Sequence, residues 1–504
     1  DVSGLPPSLI FAGKDEVLLD DSRRMHNKLV SSGCTSELVE AEGMWHAYVL
    51  YCIKERACDL DRINDFLNRF LSHERKLRWM RLDNAAKIYP AAKRRKWNNF
   101  FRLSATLCDE VDKTVLRNAM DVTMRRFPSI AVRLCRGAFW YYLEELSSAP
   151  EITDEKSWPL AHTPFESINE CALRVIVYKN RIAVEFYHAL TDGTGGMVFL
   201  KSLLAEYIEQ KYGVEIPNEC GVLDRLTQPQ EEELEDSFSK NAGSVSVSRN
   251  ASTAFKIHYT PERDDFRHLT TFILDSNAAL AAAKSCGVSL TVYLTSAMLL
   301  ALQRIQDEQT PDKRRQKPIR VVVPVNLRRL FPSRTLRNFV HVIMPEIDPR
   351  MGDYEFSEIL TSVKHQLGLL VTKKNLCAMF TPNVNAERSP LLRVMPLFLK
   401  NIAMKLVYDT VGERTNCLNL SNLGDIKVPD AMRRYVTRFD FILGVQATKP
   451  NNCGVLSYNG KLYMNFIRNT VEPVLEFQFY QVLRELGLHV KVESNGAGNV
   501  LIPN

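Results

Sequence analysis

Hydrophobic and polar positions follow two periods along the first part of the chain. Short apolar runs at residues 8–12 and 36–39 predict buried strands. Between them, apolar residues recur at helical spacing over residues 18–31, and Gly33 ends that pattern. A second helical pattern covers residues 49–71. The order strand, helix, strand, helix predicts an α/β unit whose functional loops follow the ends of the strands.

Both periods continue further along the chain. Residues 173–178 and 182–187 flank a short polar turn and predict a β-hairpin, and Asn459-Gly460 predicts another between residues 454–458 and 461–467. Other helices are predicted at 111–127, 195–207, 277–286, 290–307, 355–371, 389–409 and 474–486, and other strands at 130–134, 139–143, 319–323, 339–344, 416–420 and 438–444. This mixture of elements predicts an α/β protein.

Two changes in composition predict the domain boundaries. Residues 74–98 are strongly basic, and residues 222–255 are polar and acidic with little apolar periodicity. We therefore predict one domain over residues 1–73, two lobes over 76–221 and 256–504, and a linker over 222–255. The basic stretch has no aromatic platform or binding motif beside it, so a solvated surface is a better interpretation than a nucleic-acid site.

Composition and charge exclude several classes of protein. The chain has 504 residues, 45% hydrophobic and 25% charged, with a net charge of +6, which is ordinary globular usage and does not indicate a nucleic-acid partner. No apolar run is long enough for a membrane helix, so no integral membrane segment is predicted. The 11 cysteines are scattered, and no C-x-x-C pair occurs. We therefore expect reduced thiols in the cytoplasm, and neither a metal site nor a bound cofactor.

A first candidate site lies near the start of the chain. Asp15 follows the first predicted strand, and His46 lies on a loop after the next one. A carboxylate can orient an imidazole and stabilise its charged form, as in a catalytic triad. The string LPPSLIFAGKDEVLLDDSRRMHNKLVSSGCTSELVEAEGMWHAY resembles the C-terminal end of α/β-hydrolases of the hormone-sensitive-lipase group. The resemblance implies that Asp15 and His46 are the acid and the base of a triad.

The nucleophile of that triad is missing from the sequence. No G-x-S-x-G elbow occurs, although this family carries its serine on such a turn. Either the serine-bearing part lies upstream of this chain or the segment is a degenerate remnant of a hydrolase. We favour the first explanation because residue 1 matches the middle of the family domain. We also expect His46 Nδ1 to face Asp15, and the strand at residues 8–12 to lack a neighbour on one side.

A second candidate site is the hexapeptide from His188 to Gly193, which has the pattern H-x-x-x-D-G. Acyl transfer from a thioester needs a base for the proton of the acceptor, and a neutral histidine provides one near neutral pH. Asp192 would brace the loop or form an ion pair that keeps its charge away from the base. Glycine at position 193 would permit a sharp turn.

This hexapeptide and its surroundings resemble the alcohol acetyltransferase-like branch of the condensation and CoA-dependent acyltransferase superfamily. The matching strings run in order through residues 76–504: RLDNAAKIYPAA, NNFFRLSATL, RRFPSIAVRL, VVVPVNLRRLFPSRTLRNFV, LNLSNLG and SYNGKLYMNFIRNTVEPVLEFQFYQVL. The resemblance implies two chloramphenicol-acetyltransferase-like αβ lobes that meet at a central tunnel, preceded by part of an α/β-hydrolase.

The same resemblance implies roles for single residues. His188 corresponds to the general base, Asp192 to a structural acid, and Gly193 to the turn. Arg328 corresponds to the arginine that pairs with the acid. Ser421 would donate to the tetrahedral oxyanion, although a turn residue at the end of a strand is an equal interpretation.

Two departures from the family pattern narrow the function. Peptide-synthetase condensation domains carry a second histidine before the catalytic one, whereas this chain has Tyr187. The D-F-G-W-G motif is only partly echoed over residues 439–444. Both favour a free-standing transferase that uses acyl-CoA as the donor and an alcohol or amine as the acceptor. An esterase with an upstream nucleophile, or a non-catalytic module that binds carrier proteins, are the alternatives.

Overall fold

The computed structural model describes residues 2, 4–51, 53, 57–70, 77–91, 99–162, 164–245, 252–263, 265–446 and 448–496. The chain divides into two compact units, Asp1–Leu77 and Arg78–Asn504.

The first unit contains strand β1 (Ser8–Gly13), helix α1 (Leu19–Ser31), strand β2 (Ser36–Ala41) and helix α2 (Ala57–Phe70). The two strands pair in parallel, with Ser8 opposite Ser36. In the described part of this unit β1 pairs only with β2, so the predicted one-sided strand is confirmed. The predicted helix over 49–71 is shorter than expected, because a single 3-10 turn at Tyr48–Leu50 is followed by an extended residue, Tyr51.

The second unit begins with a half whose strands are mostly antiparallel. Its elements are β3 (Trp79–Arg81), α3 (Ile88–Ala91), β4 (Phe100–Leu107), α4 (Lys113–Arg126), β5 (Val132–Arg136), β6 (Tyr141–Glu145), β7 (Ile152–Asp154), α5 (Phe165–Glu170), β8 (Leu173–Tyr178), β9 (Arg181–Tyr187), α6 (Gly193–Tyr212), α7 (Glu231–Leu234) and α8 (Ser237–Asn241). The predicted hairpin of β8 and β9 is confirmed.

Most of the remaining elements build a larger sheet and its helices. They are β10 (His268–Asp275), α9 (Ser276–Ser285), α10 (Leu290–Gln309), β11 (Ile319–Asn326), β12 (Val340–Ile343), β13 (Glu346–Ile347), α11 (Phe356–Leu370), α12 (Lys373–Arg388), α13 (Pro390–Val394), α14 (Leu397–Val407), β14 (Leu418–Asp425), α15 (Asp430–Arg433), β15 (Val436–Ile442), β16 (Asn451–Tyr458), β17 (Lys461–Arg468), α16 (Val474–Glu485) and β18 (Lys491–Ser494). Asn459 and Gly460 both have positive φ, at 49° and 76°, as the predicted two-residue turn between β16 and β17 requires.

Three sheets organise the second unit. The five-stranded sheet has the order β15-β4-β9-β8-β7, the three-stranded sheet has the order β3-β6-β5, and the eight-stranded sheet has the order β12-β11-β14-β16-β17-β10-β18 with β13 also on β11. One hydrophobic core, which we call the first core, surrounds Phe101, Phe186 and Phe199. A second core surrounds Leu299 and Phe479.

The two predicted lobes, residues 76–221 and 256–504, are not separate in the structure, because a strand of the second pairs in a sheet of the first. Strand β15 comes late in the chain but pairs with β4 of the five-stranded sheet, with Phe439 opposite Ala105. Its side chains Phe439 and Phe441 belong to the first core. The residue pattern along one strand does not show which strand it pairs with. The prediction therefore assigned β15 to the lobe over residues 256–504, whereas it pairs with β4.

The segment predicted as a linker is packed rather than free in its described part, residues 222–245 and 252–255. Arg126 and Glu233 form a buried bidentate pair, with 2.7 Å between Nη2 and Oε1. Phe238 packs edge-on against Phe339 and Phe380. The acidic composition suggested a solvated segment, but one of its acids is a buried ion-pair partner.

Among the described helices, none is by itself long and apolar enough to cross a bilayer. Only α9 and α10 together meet the criteria of length and composition, and an 84° bend separates them.

Candidate functional site

A cavity of about 1250 Å³ is lined by residues of both cores of the second unit. His188, Asp192 and Gly193 line it from one half of the unit, and Asn326 and Ser421 line it from the other. The fold thus brings together two segments that are more than a hundred positions apart in sequence.

The backbone of His188 is fixed on both sides where the chain leaves β9. Its N–H donates to the carbonyl oxygen of Asn99 at 2.7 Å, and its carbonyl oxygen accepts from Asn338 Nδ2 at 3.0 Å. The imidazole stacks on Tyr89 with ring centroids 4.7 Å apart, and Phe101 approaches it edge-on at 5.0 Å. These contacts hold the ring in one orientation at the cavity wall.

The surroundings of His188 favour its neutral form. Burial lowers the pKa of His188 below its ordinary value of 6.5, while its own backbone and the negative charge of Asp192 oppose the shift. Nδ1 is buried and has no hydrogen-bond partner among the described residues. His188 lines the cavity, and a neutral imidazole is able to accept a proton.

Both carboxylate oxygens of Asp192 accept hydrogen bonds from other residues of the second unit. Its Oδ1 caps helix α6 by accepting from the N–H groups of Thr194 at 3.0 Å and Gly195 at 3.1 Å. Its Oδ2 accepts from Arg328 Nη1 at 2.8 Å and from the N–H of Phe339 at 2.8 Å. The predicted pairing of Asp192 with Arg328 is confirmed. The carboxylate therefore braces the loop and the start of the helix.

Arg328 connects this loop to the other half of the unit. Its Nε donates to the carbonyl oxygen of Thr335 at 2.8 Å, and its Nη2 donates to the carbonyl oxygen of Arg337. Asn326 adds a second link by donating from Nδ2 to Thr194 Oγ1 at 3.1 Å. The guanidinium thus has a polar partner on every side, as a buried charge requires.

The glycines after Asp192 are needed for space rather than for an unusual turn. Gly193 has no positive φ, so the expected sharp turn is not its role. A Cβ there would lie 2.7 Å from Leu423 Cδ2. Gly195 is the more restricted position, because a Cβ would collide with the carbonyl oxygen of Leu336 and with Thr191 Oγ1.

Ser421 lies within strand β14, not at its end, and pairs in register with Gly454 of β16. This position rules out the interpretation as a strand-end turn residue. Its side chain lines the same cavity as His188.

Several residues around His188 carried no sequence signal of their own. Tyr89, Asn99 and Asn338 hold the ring or its backbone, as described above. Asp83 lies behind them, accepting from Asn338 Nδ2 at 3.3 Å and from the N–H of Ala86 at 2.7 Å. Burial raises the pKa of Asp83 to about 6. Only its place in the string RLDNAAKIYPAA pointed to this region.

The first unit gives His46 a different partner from the expected one. His46 Nδ1 lies 2.7 Å from Glu16 Oε2, whereas Asp15 is exposed and makes no side-chain hydrogen bond in the described part of the chain. The two acids are adjacent on the loop after β1, and the backbone bond from Asp15 N to the carbonyl oxygen of Met44 orients the loop. An acid–histidine pair is present, but the acid is Glu16.

Within the described residues, no group of three or more histidine, cysteine or acidic side chains is arranged to hold a metal ion.

Comparison with known proteins separates the two parts of the chain. Residues 1–50 match a family model of the α/β hydrolase fold. No curated protein matches the chain in a sequence search.

Solved structures resemble most of the chain. The epimerization domain from the third module of tyrocidine synthetase B covers 82% of this chain and 96% of its own, at 13% identity and a TM-score of 0.52. The first condensation domain of the CDA synthetase covers 81% and 96%, at 13% identity and a TM-score of 0.52. The chain has the condensation-domain fold. A mutant starter condensation domain of rhizomide synthetase, in complex with C8-CoA and Leu-SNAC, covers 81% and 93%, at 12% identity and a TM-score of 0.50. Both sequence resemblances are therefore confirmed at the level of fold.

Proposed function

We propose that residues 78–504 transfer an acyl group from acyl-CoA to an alcohol or amine, with His188 as the general base. The observation that carries the proposal is a partly buried imidazole with a lowered pKa at the wall of a cavity lined by residues of both cores. Asp192 is bound to Arg328 and to helix α6, so it is not available to carry the proton.

The proposed reaction moves one proton from the acceptor to the leaving thiolate by way of His188. His188 Nε2 takes the proton of the acceptor hydroxyl as its oxygen attacks the thioester carbonyl carbon. The tetrahedral intermediate carries its negative charge on the former carbonyl oxygen, where Ser421 is proposed to donate a hydrogen bond. The carbon–sulfur bond then breaks, and the proton on His188 passes to the sulfur of the leaving thiolate. The products are the ester and free CoA.

Acyl-CoA is proposed as the donor on two grounds. The H-x-x-x-D-G surroundings resemble CoA-dependent transferases, and a protein of the same fold has been solved with C8-CoA bound. Tyr187 in place of a second histidine supports a free-standing transferase over a peptide-synthetase domain.

The proposal can be tested by incubating the protein with a panel of acyl-CoAs and alcohols and measuring the free thiol that is released. We expect His188→Ala to lower kcat about 10²–10⁴-fold, the usual contribution of a general base, while its circular dichroism and unfolding midpoint stay close to wild type. His162→Ala is the matched control and should keep wild-type turnover. Wild-type turnover by His188→Ala would reject the mechanism.

A second candidate function, ester hydrolysis, is favoured by the hydrolase-fold match and by the pair of His46 with Glu16. The chain has no G-x-S-x-G serine, so we propose that this pair serves a nucleophile from outside these 504 residues. These 504 residues alone should not hydrolyse short-chain esters. Hydrolysis that disappears in His46→Ala, but not in His188→Ala, would show that a serine of this chain serves the site.

A further inference from the structure

A buried lysine, Lys449, lines the same cavity as His188. It lies just before strand β16 and is 4% exposed. Its backbone forms a tight bridge with Gln446, with N–H to carbonyl distances of 3.0 and 3.1 Å in the two directions. Its position is therefore fixed at the cavity wall.

The amine of Lys449 has no polar partner. Within the described part of the chain, Nζ forms no hydrogen bond and no ion pair. Two other buried lysines differ in this respect: Lys256 Nζ donates to the carbonyl oxygen of Glu413 at 2.7 Å, and Lys201 Nζ donates to the carbonyl oxygen of Lys427 at 3.3 Å. A largely buried lysine whose amine has no partner among the described residues can pair with an anion that enters the cavity.

The charged groups around Lys449 come from several elements. Lys256 and Cys417 lie near it, and so does Glu413, which accepts a hydrogen bond from Thr448 Oγ1 at 3.1 Å. Arg320 on β11 is paired with Glu346 and also bonds the carbonyl oxygen of Thr415 at 3.2 Å. Burial, with the charge of Lys256, lowers the pKa of Lys449 to about 7, while Glu413 opposes the shift. Among these described groups, Lys449 is the one whose side chain has no hydrogen-bond or ion-pair partner, so it can pair with an anion that enters the cavity.

Unused hydrogen-bond acceptors line the same wall. Oδ1 of Asn416 and Oε1 of Gln446 are buried and have no donor in the described part of the chain. Neither oxygen accepts from Lys449 Nζ in this structure, so both are available to a polar group of a bound ligand.

Lys449 and His188 lie at opposite ends of strand β11. Asn326, at one end, bonds Thr194 beside Asp192, whereas Arg320, at the other, lies with Lys449 near Cys417. Six residues of a strand span about 20 Å. Apolar side chains make up the larger part of the cavity wall and include Val322, Val340, Val342, Leu367, Leu370 and Met379, with Asn419 and Ser421 of β14 as polar members.

We propose that Lys449 binds a carboxylate at the far end of an acyl acceptor, whose apolar body lies along β11 and whose hydroxyl reaches His188. The proposal names the substrate class of the reaction proposed above and rests on it. The substrate class is a long or extended hydroxy acid. Binding of the carboxylate places a proton on Lys449, so the buried pair carries no net charge.

Binding can be measured without turnover, so this proposal can fail separately from acyl transfer. The probes are 12-hydroxydodecanoate, its neutral counterpart 1,12-dodecanediol, and adenosine 3′,5′-bisphosphate, which carries the phosphates of CoA. Calorimetry with the full chain, in two buffers of different ionisation heat, gives both affinity and proton uptake. We expect the hydroxy acid to bind at least tenfold more tightly than the diol, with proton uptake above neutral pH.

Lys449→Met removes the charge and keeps the volume, so we expect it to fold and to lose the preference for the acid while still binding the diol. His188→Ala should retain the preference. Lys201→Met is the matched control, because Lys201 is also buried but does not line the cavity.

Equal affinity for acid and diol in the wild type would overturn the proposal, as would a preference that persists in Lys449→Met. Lys449-dependent binding of the bisphosphate, without a preference for the hydroxy acid, would assign the site to a donor phosphate instead. A marked loss of stability in Lys449→Met would show that the amine is a structural ion-pair partner and would also reject the proposal.

Discussion

In the proposed mechanism His188 accepts a proton only when its imidazole is neutral, so its pKa should set the acidic limb of the pH profile. Burial lowers that pKa below 6.5. We therefore expect log kcat/KM for acyl transfer to rise with pH and to level off with an apparent pKa below that of a free histidine, about 6.5. Asp192→Asn removes a negative charge that raises the pKa of His188, so the acidic limb of this variant should move to lower pH. An acidic limb with an apparent pKa above that of a free histidine would contradict the assignment of His188 as the base.

Gly195 illustrates a residue whose small size is required by its neighbours. A Cβ there meets the carbonyl oxygen of Leu336 and Thr191 Oγ1. We expect Gly195→Ala to destabilise the fold by about 1–3 kcal/mol, the usual cost of overpacking, measured as the urea midpoint. Gly368→Ala in α11 is the control, because open space surrounds it and alanine should stabilise that helix by about 0.5–1 kcal/mol. Equal effects in the two variants would contradict the argument.

At the scale of elements, the pair of Asp192 and Arg328 joins the start of α6 to the turn after β11. Arg328→Met leaves a buried carboxylate without its cation, which costs about 3–5 kcal/mol. Asp192→Asn should cost less, because an amide oxygen can still cap the helix. The double variant should be more stable than the sum of the single losses predicts. Additive losses in urea unfolding would show that the two residues do not interact.

Element prediction succeeded where the signal was local and failed where it was not. The turn of Asn459 and Gly460 needs two residues with positive φ, and the sequence supplies them directly. The predicted helix over 389–409 is instead divided into α13 and α14, because Pro396 cannot continue a preceding helix. Helix α12 gave no signal because it contains Pro382, a residue normally excluded from helix interiors.

At the scale of the whole molecule, the second unit should fold without the first but not as separate lobes. A fragment of residues 78–504 should unfold cooperatively and retain acyl transfer. A fragment of residues 78–221 lacks β15, which leaves the edge of β4 unpaired and part of the first core exposed, so we expect it to aggregate. Light scattering and circular dichroism would distinguish the two fragments. A soluble, cooperatively folding 78–221 fragment would contradict the shared core.

The sequence by itself determined the class of fold and both hairpins, and it singled out His188, Asp192 and Gly193, which line one cavity, because each rests on a local pattern. The likeness to acyltransferases also predicted the pairing of Asp192 with Arg328. Only the tertiary structure decided that β15 completes the first core, that Glu16 and not Asp15 meets His46, and that Lys449 shares the cavity with His188. These relations join residues far apart in sequence or choose between adjacent side chains. They depend on strand pairing and on the burial of particular atoms, which periodicity and motif spacing do not encode.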